Sequence, residues 1–360
     1  MQIKRNNVTM VNKKLLVMRF SALGDVAMTV PVITQLAQQH PELRITVLTR
    51  IRFVPLFEWA PSNVEVKGIS LDNYKGITGL THLYTTLQQA DYDAVLDLHN
   101  VLRTRYLRTL FRLSGKQVAV IDKGRRQKHA LIGNGVTTPP LRSMFERYAD
   151  VFREIGYGVE LNPNQPLFPT LPSYGTDLPF GWLPPHSEKR PILIGVAPFA
   201  AHDMKIYPLD QMRLACDMLL EKGYQIFLFG AGKEESEELA TWECDNMRSV
   251  CGQLGGLHDE LILISQLDLM ISMDSANMHL AAMLGTPTLS LWGATHPAAG
   301  FMAWGQTEEN VLQIPDLPCR PCSIYGNKPC HLGDHRCLTQ ITPEMIVART
   351  VQLLSERTRD

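Results

Sequence analysis

Short, mostly apolar runs recur along the sequence, and most are followed by a turn and then by a stretch with helical spacing. Lys14–Phe20, Arg44–Thr49, Val64–Val66, Asp93–Leu98 and Gln117–Ile121 form a first set. Ile192–Val196, Gln225–Phe229, Leu267–Met273 and Thr288–Trp292 form a second. A strand buried on both faces needs an unbroken apolar run, because neither row of side chains meets water. Alternation of such strands with helices leads to a parallel, doubly wound sheet. Helical patterns cover 26–39, 209–222, 275–284 and 343–355, and Pro31 should kink the first of them or fall at an irregular turn. Between the two sets stand eight prolines from Pro163 to Pro191, a spacing through which no regular element persists. The expectation is an α/β protein of two Rossmann-like domains facing a central cleft. The first spans 1–170, a proline-rich linker 171–191, and the second 192–342 with a cysteine-rich tail. A helix over 343–360 is placed to pack back on the first domain. Ligands of open parallel sheets lie at the carboxyl ends of the strands, so the cleft is the expected site.

The chain has 360 residues, enough for two such domains, with 45% hydrophobic and 20% charged residues. Its net charge of −1 conceals a segregation: residues 1–180 carry +8 and residues 181–360 carry −9. The basic half suits an anionic partner, and overall neutrality argues against nucleic acid. No apolar run reaches 18 residues, and Arg19 interrupts the only apolar stretch near the N-terminus, so neither a membrane span nor a signal peptide is expected. The chain reads as cytoplasmic.

Six constellations carry chemistry. Ser21, Gly24 and Asp25 follow the first strand, where Asp25 fits either a helix cap or a general base. Asp274, Ser275, Ala276, Asn277, Met278 and His279 form a strand end and helix start, suited to an anion or to a plain N-cap with a packed histidine. Lys205 lies in a loop after a strand, as a phosphate charge or a solvated lysine. Glu234 follows the Gly230-Ala231-Gly232 turn, as a ribose ligand or a residue placed for the helix dipole. Residues 101–130, with Arg103, Arg105, Arg125 and Arg126, carry +8 in thirty residues, which favours an anionic partner over a merely solvated face. Finally Cys319, Cys322, Cys330 and Cys337 could close a tetrahedral zinc site, but their gaps of two, seven and six are not paired knuckles, which favours reduced, packed thiols.

Taken together these segments resemble glycosyltransferase family 9, the ADP-heptose:lipopolysaccharide heptosyltransferases. Ser21-x-x-Gly24-Asp25 is similar to that family's N-terminal motif, and Asp274–Ala282 to its donor motif. Gly285 to Pro287 and Trp292 to Pro297 continue the donor motif, and the cysteine tail is similar to that of the second heptosyltransferase subgroup. Ala276 departs from the glycine usual there, and Tyr207 from a common tryptophan. The resemblance implies a GT-B fold and an inverting, metal-independent transfer of heptose from ADP-heptose to a lipopolysaccharide inner-core acceptor. It implies Asp25 as base, Lys205 and the start of the 275–284 helix on the diphosphate, and Glu234 on the ribose. The acceptor is then an anionic glycolipid of lipid A with acidic or heptose core sugars, contacted by Ser21, Gly24, Arg103, Arg105, Arg125 and Arg126. The enzyme would lie peripherally on the inner face of the inner membrane and need no cofactor. A nucleotide-sugar 2-epimerase of the same fold and a non-catalytic sugar-nucleotide or glycolipid-binding protein are the alternatives. A dinucleotide-dependent dehydrogenase is disfavoured, because the first turn lacks G-x-G-x-x-G.

Overall fold

The computed structural model describes residues 13–132, 139–171 and 191–357. They form two compact units. The first comprises residues 13–21, Val32–Ile121 and Glu146–Leu161; the second comprises the described parts of Ala22–Pro31, Asp122–Phe145 and the chain from Asn162 onward. The expected linker, 171–191, lies outside the described residues except at its two ends.

In chain order the first half runs β1 (Lys14–Met18), α1 (Leu23–Ala27), α2 (Thr29–Gln39), β2 (Arg44–Arg50), β3 (Val64–Ile69), α3 (Gly76–Gln88), β4 (Ala94–Asp97), α4 (Leu102–Leu113), β5 (Gln117–Val120), α5 (Arg125–Ala130) and α6 (Met144–Arg153). Its five strands form one parallel sheet in the order β3-β2-β1-β4-β5. Leu15, Leu16, Val17 and Met18 are all fully buried, which is why β1 is apolar without alternation. The helix expected over 26–39 is broken at Met28. Pro31 then falls in the first turn of α2, where its missing N–H has no intrahelical partner to lose.

The second half runs β6 (Leu193–Ala197), α7 (Leu209–Glu221), β7 (Gln225–Leu228), α8 (Gly232–Ala240), β8 (Met247–Ser249), α9 (Leu257–Ser265), β9 (Leu269–Met273), α10 (Ala276–Met283), β10 (Thr288–Leu291), β11 (Val311–Leu312), α11 (Arg336–Thr339) and α12 (Pro343–Arg357). The sheet is parallel in the order β11-β10-β9-β6-β7-β8. β8 and β11 were not expected from the sequence. They hold three and two residues at the sheet edges, too few to show a period. α12 lies against α7, and its Ile346, Val347 and Leu354 join the core of this unit.

Register decides what meets at the strand ends. Val17 lies level with Val47 and Leu96, so the chain after β1 and the chain after β4 emerge on one edge. In the second unit Ala197 pairs with Ser272, and Leu291 with Met273. The loops after β6, β9 and β10 therefore leave the sheet together. In each sheet strand order reverses around its first strand, the switch point at which open α/β sheets take ligands.

Asp97, at the end of β4, is fully buried. It accepts the N–H groups of His99 (3.0 Å) and Asn100 (2.7 Å) and the Nη1 of Arg108 (2.7 Å). Removing one partner of a buried ion pair leaves the other charge uncompensated. Arg108→Met should therefore lower the unfolding free energy by about 3 kcal/mol, measured by urea denaturation, whereas Arg103→Met, at a half-exposed position, should change it by under ~0.5 kcal/mol.

Candidate active site

The second unit gathers most of the singled-out residues. β9 is buried throughout and is followed directly by Asp274, itself 7% exposed. Its Oδ2 accepts the hydroxyl of Thr295 at 2.8 Å and lies 2.8 Å from Lys205 Nζ. An ammonium has three donors, so Lys205 keeps two after this contact. Ser275 precedes α10 in extended backbone, but its hydroxyl bonds to Ser272 Oγ at 3.1 Å and makes no cap bond. The first N–H groups of α10 thus have no side-chain cap from Ser275. Ala276 starts the helix without left-handed backbone, which is how alanine stands where glycine is usual. Asn277 is half-buried, and Met278 is fully buried, so its side chain belongs to the core. α10 is apolar on nearly every side, as a helix packed between a sheet and its neighbours must be.

His279 lies on the first turn and is buried. Burial pushes its pKa down to about 4; the carboxylates of Asp274 and Asp25 oppose that push, and the Lys205 ammonium adds to it. The imidazole is neutral at pH 7, and its Nδ1 has no hydrogen-bond partner. α1 lies against α10 here. A Cβ on Gly24 would stand 3.1 Å from His279 Cδ2 and 3.2 Å from Ala276 Cα, so Gly24 serves close helix approach. Asp25 is on the first turn of α1, half-exposed, with Oδ2 accepting the N–H of Ala22 at 3.2 Å. Asp25 thus closes the start of α1, and its charge bears on His279.

Glu234 is exposed on the first turn of α8. Its neighbour Glu235 closes the glycine turn, with Oε2 accepting the N–H of Ala231 at 2.7 Å. Next to it the Cys251 thiol donates to the Gly230 carbonyl at 3.2 Å. Glu260, at the start of α9, has its carboxyl pushed up to about 7 by burial. Tyr207 is fully buried and donates to the Ile341 carbonyl at 2.7 Å, so its substitution for tryptophan is accommodated by a hydrogen bond to the chain before α12.

In the first unit the strand-end edge carries Ser21, whose Oγ is 3.2 Å from His99 Nε2. Asn100, in left-handed backbone, accepts Arg105 Nε and Arg108 Nη1, each at 3.2 Å. His99 and Asn100 were missed by the sequence reading. The available signal was a polar Asp97-x-His99-Asn100 cluster directly after a strand. The basic run does not act as one surface element. Arg103 and Arg105 lie on α4 in this unit, while Arg125 and Arg126 are exposed on α5 in the second. Lys116 is 2.6 Å from Asp91, and Lys128 is buried with Nζ 3.8 Å from the Phe301 ring centroid.

The four clustered cysteines are free, with Cys337 buried and the others half-buried. The Cys322 thiol donates to the Cys319 carbonyl at 3.1 Å and is pushed up to about 11, first by burial and then by the other three cysteines. Among the described residues no three His, Cys, Asp or Glu side chains are grouped to hold a metal ion. No described helix is long and apolar enough to cross a membrane.

The model of glycosyltransferase family 9 (heptosyltransferase) matches residues 80–329, well over half of the chain. The chain belongs to this family. It is 26% identical to lipopolysaccharide heptosyltransferase 3 of Escherichia coli K12, over 92% of this chain and 96% of that one. The structure of E. coli ADP-heptose lipopolysaccharide heptosyltransferase II matches with a TM-score of 0.68 at 21% identity, covering 96% of this chain and 99% of that one. That of E. coli heptosyltransferase WaaC with ADP gives 0.64 at 18%, covering 94% and 99%. The fold is GT-B, and the protein is a glycosyltransferase.

Buried His279 and half-buried Glu260 set opposite pH dependences. Below pH 6.5 an unfolded chain takes up a proton that buried His279 refuses, so its contribution is complete above pH 6.5 and is lost as pH falls toward 4. Glu260 runs the other way: its contribution is complete below pH 4.5 and is lost as pH rises through 7. His279→Asn should flatten the acid limb, by roughly 1.4 kcal/mol per pH unit. Glu260→Gln should raise stability at pH 8 by on the order of 2 kcal/mol. Urea titrations at pH 4.5, 6 and 8 read both.

Proposed function

We propose that this glycosyltransferase moves a heptose from ADP-heptose, with inversion, to an anionic inner-core glycolipid of lipopolysaccharide. The observation that carries the reading is the gathering of Asp25, His279, Asp274 and Lys205 around the starts of α1 and α10. The acceptor hydroxyl oxygen attacks the anomeric carbon while the bond from that carbon to the β-phosphate oxygen breaks. Asp25 takes the hydroxyl proton, and ADP leaves with the bonding pair. The new charge on the diphosphate is met by Lys205 and by the free N–H groups at the start of α10, donors already oriented before the reaction. Neutral His279 adds no charge of its own. Glu234, exposed after the glycine turn, is the ribose ligand on this reading.

Candidates for the acceptor's phosphates or acidic sugars are Arg103 and Arg105 on α4 with Ser21 at the end of β1, and, in the other unit, Arg125 and Arg126 on α5. The enzyme works at the inner face of the inner membrane, to which its basic half is attracted. The reaction as written needs no metal. Membership of a glycosyltransferase family favours transfer over the epimerase and binding-protein readings.

A general base contributes about 10²–10⁴ in rate. Asp25→Asn should therefore lower kcat at least ~100-fold while ADP affinity, read by calorimetry, stays within about threefold. Normal turnover of that variant would leave Asp25 a helix cap and sink the mechanism. ADP should be released only when an extracted glycolipid acceptor is present, and thermal shift should favour ADP over UDP and GDP. An epimer formed from donor alone would establish the epimerase instead.

A further inference from the structure

The cysteine-rich segment plays no part in the chemistry above, yet its side chains end against the residues that bind the donor. Arg320, between Cys319 and Pro321, is 3% exposed. Its fork is spent on main-chain and amide acceptors. Nε donates to the Gly293 carbonyl at 2.5 Å, and Nη2 to the Thr295 carbonyl at 2.8 Å and to Gln313 Oε1 at 3.0 Å. Nη1 donates to the Ile314 carbonyl at 3.0 Å. The loop after β10 is thus clamped from one side, and the Cys322 N–H adds a bond to the Ala294 carbonyl at 2.9 Å. Thr295, held through its carbonyl, gives its hydroxyl to the same Asp274 oxygen that meets Lys205.

A second contact reaches Lys205 directly. Gly326 has φ +75°, and a Cβ there would collide with Cγ and Cδ of Lys205. The loop that carries it is locked from within. Ser323 Oγ accepts the N–H groups of Tyr325 (3.2 Å), Gly326 (2.9 Å) and Asn327 (3.2 Å) and donates to Asn327 Oδ1 at 2.9 Å. The stem of Lys205 therefore rests on a rigid glycine surface while its head is fixed through Asp274.

We propose that the segment Arg320–Asn327 sets the position of the Lys205 ammonium. Arg320 is a positioning residue acting through Thr295 and Asp274, and Gly326 is the bed for the lysine stem. The physical basis is that a long, flexible ammonium stem is worth little as a point charge unless something holds it where charge develops. A planar guanidinium reaching four acceptors on two loops supplies that rigidity; a lysine at 320 would not. The proposal deepens the donor-site reading above and rests on it for its catalytic meaning.

Competitive acylation of the full-length, ligand-free protein with acetic anhydride, read by peptide mass spectrometry, tests the geometry without any nucleotide. Lys116, paired with Asp91 in the other unit, is the internal reference. Arg320→Gln and Thr295→Val should each raise the relative labelling of Lys205 at least ~3-fold with Lys116 unchanged, because the amine leaves its fixed contact with Asp274 and becomes more accessible. Unchanged Lys205 labelling in both variants overturns the proposal. Thr295→Val, of nearly the same shape as the native residue, keeps the test open if Arg320→Gln does not fold. ADP calorimetry supplies the second readout. Arg320→Gln and Gly326→Ala should weaken ADP about tenfold in the native background and less than ~2-fold in a Lys205→Ala background. Equal losses in both backgrounds would show a merely structural role and also overturn it. Failure of the native protein to bind ADP would instead remove the donor-site reading, and the labelling result would still decide the positioning claim.

Discussion

A carboxylate sealed from water needs partners, and Asp274 has two whose positions are set by other strands. Thr295 reaches it from the loop after β10 and Lys205 from the loop after β6. Loss of the Lys205 charge would leave a nearly buried carboxylate undercompensated, at a cost of several kcal/mol. The parallel register brings these loops to the same sheet edge, so the ion pair follows from strand pairing and in turn orients the Lys205 ammonium and the Thr295 hydroxyl. Asp97 plays the corresponding part in the first unit. It fixes Arg108 and, through Asn100, the neighbouring Arg105.

Burial tunes the same neighbourhood. His279 stays neutral although two carboxylates act on it, because desolvation of the imidazolium outweighs them. A neutral imidazole adds no charge beside Asp274, and the positive charge there comes from Lys205. Gly24 permits this arrangement at the level of packing, since any side chain would separate α1 from α10 and move Asp25 away from the donor motif.

Much of this was legible in the sequence. Mostly apolar runs located nine of the eleven described strands; most of these are buried on both faces, which leaves little freedom in composition, while β3 and β5 are only partly buried. Asp25, Lys205 and the 274–279 segment were legible as strand-end residues. The sequence offers Glu234 as a ribose ligand or as an acid placed for the helix dipole; it does not show that the neighbouring Glu235 is the residue that closes the glycine turn. Two adjacent acids on a helix start differ only in the direction their side chains leave the helix. Arg320 was invisible among the cysteines that flank it, since its acceptors are carbonyls of distant loops and leave no mark in the residue pattern.

By itself the sequence determined that two parallel α/β sheets would form and which short segments would lie at their ligand-bearing ends. Those outcomes depend on local periodicity and on turn residues, which are properties of consecutive positions. Tertiary structure alone decided how the basic run divides, with Arg103 and Arg105 in one unit and Arg125 and Arg126 in the other. It alone joined residues 22–31 to the donor motif and set Arg320 and Gly326 behind Lys205. These are contacts between segments tens to hundreds of residues apart, set by strand order and register, and a linear pattern does not encode them one residue at a time.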